Sequence, residues 1–133
     1  MSKAKKISLI IFSLVVILSG IVAYFVVKIQ DDLEYLKVIQ IEDVDLNSVE
    51  DGTYLGEYSC FPVSVIVEVD IVSHKIVDLT IIKHDNGQGE AAEIIIDNVI
   101  DSQSLELDSI AGATYSSRVI LLAIEDALIK ASN

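Results

Sequence analysis

A threonine at the junction between a polar loop and a helical pattern is the clearest candidate for chemistry in this sequence. The stretch Asp108-Ser-Ile-Ala-Gly-Ala-Thr114 leads directly into Tyr115-Ser-Ser-Arg118. Because Gly112 and Ala113 carry almost no side chain, the Thr114 hydroxyl is open to attack by another enzyme. A helix start also favours a phosphate, since its backbone N–H groups and the positive end of the dipole point toward it. Threonine is equally an ordinary N-cap, so these residues alone leave a structural role open.

Other chemistries find little support in the sequence. Cys60 is the only cysteine, which excludes an intrachain disulfide, and beside Phe61-Pro62 it is expected to fill the core. One cysteine and two distant histidines, with scattered carboxylates, predict no metal site. Neither a nucleophile–base arrangement nor a glycine-rich nucleotide fingerprint is present.

An apolar run near the N-terminus predicts a membrane anchor. Ile7–Val27 contains 21 residues without a charge, long enough to cross a hydrocarbon core of about 30 Å as a helix. The run is longer than a signal-peptide core and no small-residue cleavage site follows it, so we expect a single uncleaved span. Lys3, Lys5 and Lys6 predict that the N-terminus stays in the cytoplasm and the rest lies outside.

The remainder of the chain is strongly acidic. All 21 acidic residues but only six of the nine basic ones follow Val27. A domain of this charge repels phosphate backbones, so we expect no nucleic-acid binding and favour docking to a basic partner surface. Helical spacing of Ile29, Leu33 and Leu36 predicts that the anchor helix continues for two or three turns beyond the membrane.

Hydrophobic periodicity predicts three strands and then two helices. The strands are Thr53–Tyr58, Val63–Asp70 and Ile76–Lys83, and in the third Val77, Leu79 and Ile81 are expected to share a face. A short turn after the second strand predicts an antiparallel hairpin. The polar loop His84-Asp-Asn-Gly-Gln-Gly89 then precedes the helices.

Both predicted helices are amphipathic. The first, Glu90–Asp101, places Ala92, Ile95, Ile96 and Val99 on one face. The second covers about 115–131, and its apolar stripe consists of Ile120, Ala123, Ile124, Ala127, Leu128 and Ala131. The expected fold is therefore α+β, a small antiparallel sheet packed by two helices, with an N-terminal transmembrane helix.

The order of these pieces resembles the FMN-binding domain family over residues 45–131. The residues that carry the resemblance are Asp51-Gly-Thr-Tyr-x-Gly56, His84, Gln103-Ser-Leu105, Asp108-x-x-x-Gly-Ala-Thr114-x-Ser-Ser117 and Ala-Ile-x-x-Ala-Leu128. The family includes covalently flavinylated subunits of sodium-translocating quinone reductases and of ferredoxin-linked complexes, and small extracytoplasmic electron carriers. Ala111 stands where the family often has Ser or Thr, and Asp85-Asn86-Gly87 replaces a Glu-Thr-Pro-like stretch.

The resemblance implies a covalent cofactor. A separate flavin transferase, with FAD as donor and Mg²⁺ as helper, would attach FMN to Thr114 through a phosphoester. The implied cofactor-binding residues are Asp108, Gly112, Ala113, Thr114, Tyr115, Ser116, Ser117 and His84. Asp108 is expected to serve transferase recognition or loop geometry, and Ser116 and Ser117 to donate hydrogen bonds to the phosphate. Tyr115 is the best aromatic candidate to stack on the flavin.

His84 has two interpretations in this setting: it approaches the flavin and moves protons, or it is a solvated turn histidine. The domain organisation is an anchor over 1–28, an acidic connector over 29–44 and an FMN-binding domain over 45–133. We expect a membrane-anchored extracytoplasmic electron carrier rather than a stand-alone enzyme, which exchanges electrons with a membrane reductase or quinone pool and a redox partner protein. The alternatives are a flavin-free acidic interaction module and a structural subunit of a larger membrane reductase.

Overall fold

A long helix, three strands and two further helices follow one another along the chain in the computed structural model. The structure describes residues 1–85, 87 and 89–133, without the side chains of 90–93. The elements are α1 Lys3–Val38, a 3₁₀ turn at Leu46–Ser48, β1 Gly52–Cys60, β2 Val63–Val72, β3 Lys75–Asp85, α2 Glu90–Ser102 and α3 Thr114–Ala131. The predicted α+β class is confirmed. These elements form two compact units, Met1–Glu34 and Tyr35–Asn133.

The first unit consists almost entirely of α1, which is long and apolar enough to cross a membrane. Its most apolar window has a mean hydropathy of 2.8 and is not buried by other parts of the protein. The hydroxyls of Ser13 and Ser19 donate to the carbonyls of Ile10 and Val16, at 2.9 and 2.8 Å. Such bonds within the helix are needed where no water can serve as partner. The helix runs on to Val38, which confirms its predicted extension beyond the apolar run.

The second unit is built on a three-stranded antiparallel sheet in the order β1-β2-β3. Burial alternates along the central strand β2, as predicted, because successive side chains point to opposite faces. The buried face of β2 is formed by Val63, Val65, Val67, Val69 and Ile71, each at most 3% exposed. The helices α2 and α3 contact this sheet.

A bulge changes the face that the start of β3 presents. Pairing shifts between Asp70 and Ile71, so that Asp70 faces Asp78 but Ile71 faces Ile76. Ile76 is therefore buried and Val77 is 51% exposed. The prediction that Val77 lies on the buried face is wrong, because the extra residue of a bulge interrupts the period of two.

Helix α3 lies directly across β1 and β2. A Cβ at Gly56 would overlap the backbone carbonyl of Ala123 and the side chain of Ala127. The glycine therefore permits the close approach of the strand to the helix. The predicted apolar stripe of α3 is confirmed, since its members are at most 4% exposed. In α2, Ile95 and Val99 are fully buried and Ile96 is 9% exposed. The side chain of Ala92, the other predicted member of this face, lies outside the described residues.

Residues before the first strand cover another side of α3. The backbone N–H of Glu42 donates to Glu125 Oε1 at 2.8 Å, and that of Glu50 donates to the carbonyl of Ala131 at 3.1 Å. Val49 is fully buried in the core. Contacts on several sides explain why α3 buries more residues than its predicted stripe.

Candidate functional site

Thr114 is the first residue of α3, one position earlier than the predicted helix start. Its side chain is exposed, whereas the preceding N-cap residue, Ala113, is 1% exposed. No side chain caps the helix at Ala113, and the first turn contains no acidic residue. The Thr114 hydroxyl thus lies at the positive end of a helix dipole that the first turn does not neutralise.

Gly112 adopts a backbone conformation that suits glycine. Its φ is +79°, in the left-handed region where a Cβ is strained. No other atom lies within 4 Å of the position that a Cβ would occupy. The glycine therefore turns the chain into α3 and leaves open space two residues before Thr114.

Hydrogen bonds fix the loop immediately before α3. The N–H of Ala113 donates to the carbonyl of Ile110 at 2.9 Å, and the N–H of Ile110 donates to Ser117 Oγ at 3.1 Å. The Ser117 hydroxyl in turn donates to the carbonyl of Ala113 at 2.7 Å. Ser116 and Ser117 are both fully buried. In the structure the Ser117 proton is thus used within the loop, and donation by either serine to a phosphate stays a prediction.

The earlier part of the same loop is also held by side chains. Gln103 accepts from the N–H of Ile76 through Oε1 and donates to its carbonyl through Nε2, both at 2.8 Å. Asp43 accepts from Ser104 Oγ and from the N–H of Leu105, both at 2.6 Å. The loop that leads to Thr114 is therefore attached to the sheet at one point and to the segment before β1 at another.

Tyr115 is bound to the turn between β1 and β2. Its hydroxyl lies 2.9 Å from the carbonyl of Cys60 and 2.6 Å from that of Phe61. Cys60 is 8% exposed, as expected of a core filler. Tyr115 is half-buried, and its predicted stacking on a flavin stays a prediction.

His84 lies at the same end of the sheet as this turn. It pairs with Val65 in β2, while Cys60 pairs with Val63. The imidazole packs against Gly87 so closely that a Cβ there would overlap the ring. His84 is half-buried, which differs from a fully solvated turn histidine. Asn86 and Gln88 of the predicted polar loop lie outside the described residues.

A cavity of about 750 Å³ opens beside the motif. It is lined by residues 37–43, residues 105–108 and Arg118. Asp108, the first residue of the motif, is therefore part of the lining and is exposed. The lining contains two cations, Lys37 and Arg118, and four acidic residues, Glu42, Asp43, Glu106 and Asp108.

Arg118 is a site residue that the sequence analysis missed. It donates through Nε and Nη2 to the carbonyls of Leu36 and Ile39. Those carbonyls lie at the C-terminal end of α1, where backbone acceptors have no partner in the helix and a cation is favoured. A signal was present, since Arg118 is the only arginine and lies four residues after Thr114.

Two ionisable groups near β1 have shifted pKa values. Burial raises the pKa of Tyr58, and the neighbouring Tyr35 raises it further. Backbone N–H groups of Ser73 and His74 lower the pKa of Asp51. Within the described part of the chain, no group of three His, Cys, Asp or Glu side chains is placed to hold a metal ion.

The comparison with protein families bears on this site. A family described as FMN-binding domain matches residues 61–129, just over half of the chain. The matched range contains His84, the whole stretch 108–117 and Arg118, but not the 37–43 segment that lines the cavity. No curated protein matches the chain.

Proposed function

The chain belongs to the FMN-binding domain family, and on that premise we propose that it is an extracytoplasmic electron carrier with FMN joined to Thr114. Its domain and its N-terminal apolar helix fit a membrane-anchored flavin-binding protein. The observation that carries the proposal is the exposed Thr114 hydroxyl at the uncapped start of α3.

The residues present fit an attached FMN. A transferase needs the hydroxyl to be accessible, and Thr114 is exposed, with open space beside Gly112. A tethered flavin needs room, and the cavity lined in part by Asp108 and Arg118 lies next to the motif.

The charges around Thr114 also suit a phosphoester. The positive end of the α3 dipole favours an anion, and the first turn contains no acidic residue. Arg118 adds a cation one helical turn further along the same face. The cavity beside Arg118 is also lined by carboxylates, so the support for a phosphoester comes from the start of α3 itself.

The proposed attachment transfers one FMN group, riboflavin with its phosphate, from FAD. The Thr114 oxygen attacks the phosphorus on the riboflavin side of the FAD pyrophosphate. The bond from that phosphorus to the bridging oxygen breaks, AMP leaves, and the hydroxyl proton passes to a base of the transferase. No oxidant or reductant is consumed. The transferase supplies Mg²⁺, so the chain itself provides the hydroxyl and its setting.

The bound flavin would accept and release electrons, and the protein would hold and orient it. A covalent bond suits a carrier outside the cytoplasm, where a loosely held cofactor would diffuse away. The lysines in the first turns of α1, before its apolar run, support that orientation, because cytoplasmic flanks of single spans are enriched in positive charge. We propose a membrane reductase or quinone pool and a second redox protein as the electron partners.

Intact mass of the full-length chain tests the attachment. Co-expressed with a flavin transferase, the wild-type chain should gain the mass of one FMN less one water and stay yellow after denaturation. Thr114→Val should gain no mass, because it removes the hydroxyl and keeps the branched shape. Thr114→Ser should be modified, since it retains the hydroxyl.

The matched control is Thr80→Val, the same substitution at an exposed threonine of β3. It should be modified like the wild type. A colourless wild-type chain, or equal modification of Thr114→Val, would overturn the proposal. The colourless result would favour the flavin-free interaction module.

A further inference from the structure

We infer that the ring system of a flavin carried on Thr114 lies in the cavity lined by residues 37–43, residues 105–108 and Arg118. This inference rests on the proposed attachment and specifies where the flavin ring lies. The 37–43 segment lies outside the residues that match the FMN-binding domain family. The family match therefore does not account for this wall of the cavity.

The cavity is within reach of Thr114. Thr114 and Arg118 are four residues apart in α3, and side chains at that spacing share a helix face. One helical turn rises about 5.4 Å, which is less than the length of an extended ribityl phosphate chain. Since Arg118 itself lines the cavity, a ring tethered to Thr114 can enter it without rearrangement of α3.

The cavity has room for an isoalloxazine ring and a mixed lining. It is an open groove with a volume of about 750 Å³, and its lining includes the carboxylates of Glu42, Asp43, Glu106 and Asp108 as well as apolar side chains. Ile39, Ile41 and Leu107 line it and pack against the core, offering aliphatic surface to the benzenoid end of the ring. Lys37 and Gln40 are exposed donors in the lining, suited to the carbonyl oxygens of the pyrimidine end.

Hydrogen bonds hold the two walls in place. Arg118 donates to the carbonyls of Leu36 and Ile39, which fixes the start of the 37–43 segment against α3. The carboxylate of Asp43 accepts from the N–H of Leu105, which joins the end of that segment to the opposite wall. The segment that leads from the long helix into the sheet thus becomes part of the flavin site.

Tryptophan scanning of the flavinylated, full-length chain tests the position of the ring. The sequence contains no tryptophan, and an indole in contact with a flavin quenches its fluorescence by electron transfer. Gln40→Trp and Glu106→Trp place an indole on either wall, and both residues are exposed. Each should shorten the flavin fluorescence lifetime severalfold relative to the wild type.

The control is Ile129→Trp, at an exposed residue near the other end of α3. It lies about 22 Å along the helix axis from Thr114, so the lifetime should be unchanged. Intact mass is measured on every sample first. Absence of the adduct in the wild type overturns the attachment, whereas a full adduct with unchanged lifetimes in both wall variants overturns the ring position alone.

Discussion

Helices α2 and α3 begin in similar ways, after glycines with positive φ and without a side-chain cap. Gly89, with φ +57°, is the N-cap of α2, and Gly112, with φ +79°, lies one residue before the N-cap of α3. In neither helix does the N-cap side chain accept a hydrogen bond from the first turn. Judged by backbone alone, both starts are equally suited to an anion.

The sequences of the two first turns differ in charge. That of α2 contains Glu90 and Glu93, and acidic residues at this position favourably oppose the helix dipole. The first turn of α3 begins with Thr114 and contains no acidic residue. In the sequence, the first turn of α2 therefore has acidic residues that the first turn of α3 lacks. A helix start becomes a candidate site only when a hydroxyl, a fixed loop and a cavity accompany it.

Moving the threonine hydroxyl from the start of α3 to the start of α2 tests whether α2 can also accept a flavin. We expect the double variant Thr114→Val/Glu90→Thr to carry no flavin, as complete a loss as in Thr114→Val alone. The physical reason is that the loop hydrogen bonds and the cavity described above belong to the start of α3. Intact mass after co-expression with the transferase measures the outcome. An adduct mapped to position 90 would mean that a hydroxyl at an uncapped helix start is sufficient.

Matched glycine substitutions separate stability from site geometry. Apart from chain neighbours, no described residue has an atom within 4 Å of a Cβ built at Gly89 or Gly112, so an alanine there meets backbone strain. Each of Gly89→Ala and Gly112→Ala should lower the free energy of unfolding by about 1–3 kcal/mol. Only Gly112→Ala should slow flavin attachment severalfold, because it alone alters the turn before Thr114. Denaturant unfolding and a time course of intact mass measure the two effects.

Equal attachment rates in the two glycine variants would contradict that expectation. They would show that the transferase tolerates changes in the turn and reads only the exposed threonine. A rate loss in Gly89→Ala alone would reverse the roles assigned to the two helix starts.

Much of the fold follows from local pattern in the sequence. The strands, both helices and the apolar stripe of α3 are predicted by periodicity because their burial depends on one face of each element. The exposure of Val77 could not be predicted in this way, since a bulge depends on the pairing of two strands. The role of Gly56 could not be predicted either, because the space for a side chain there is taken by α3, which is distant in the sequence.

The residues of the site also fall into two groups, those that the sequence identifies and those that only the structure identifies. Asp108, Gly112 and Thr114 lie close together in the sequence and can be found as a motif. The 37–43 wall and Arg118 cannot, because their roles depend on hydrogen bonds between residues more than 60 positions apart, such as Arg118 with Ile39 and Leu105 with Asp43. The Ser117 hydroxyl bonds the loop in the structure, and its predicted donation to a phosphate stays a prediction. Sequence spacing identifies candidate donors but does not tell which partner they serve.

Ser117→Ala should have the smallest effect on flavin attachment among these variants. The variant removes a fully buried hydroxyl that accepts from the N–H of Ile110, and leaves that N–H without its partner. A loss of about 1–3 kcal/mol in the free energy of unfolding is expected. Attachment should slow less than in Gly112→Ala, because the backbone φ of the turn is unchanged. Ser132→Ala is the control, since its hydroxyl donates to Ile129 at the exposed far end of α3. If Ser117→Ala unfolds like the wild type but accepts no flavin, the Ser117 hydroxyl serves the phosphate rather than the loop.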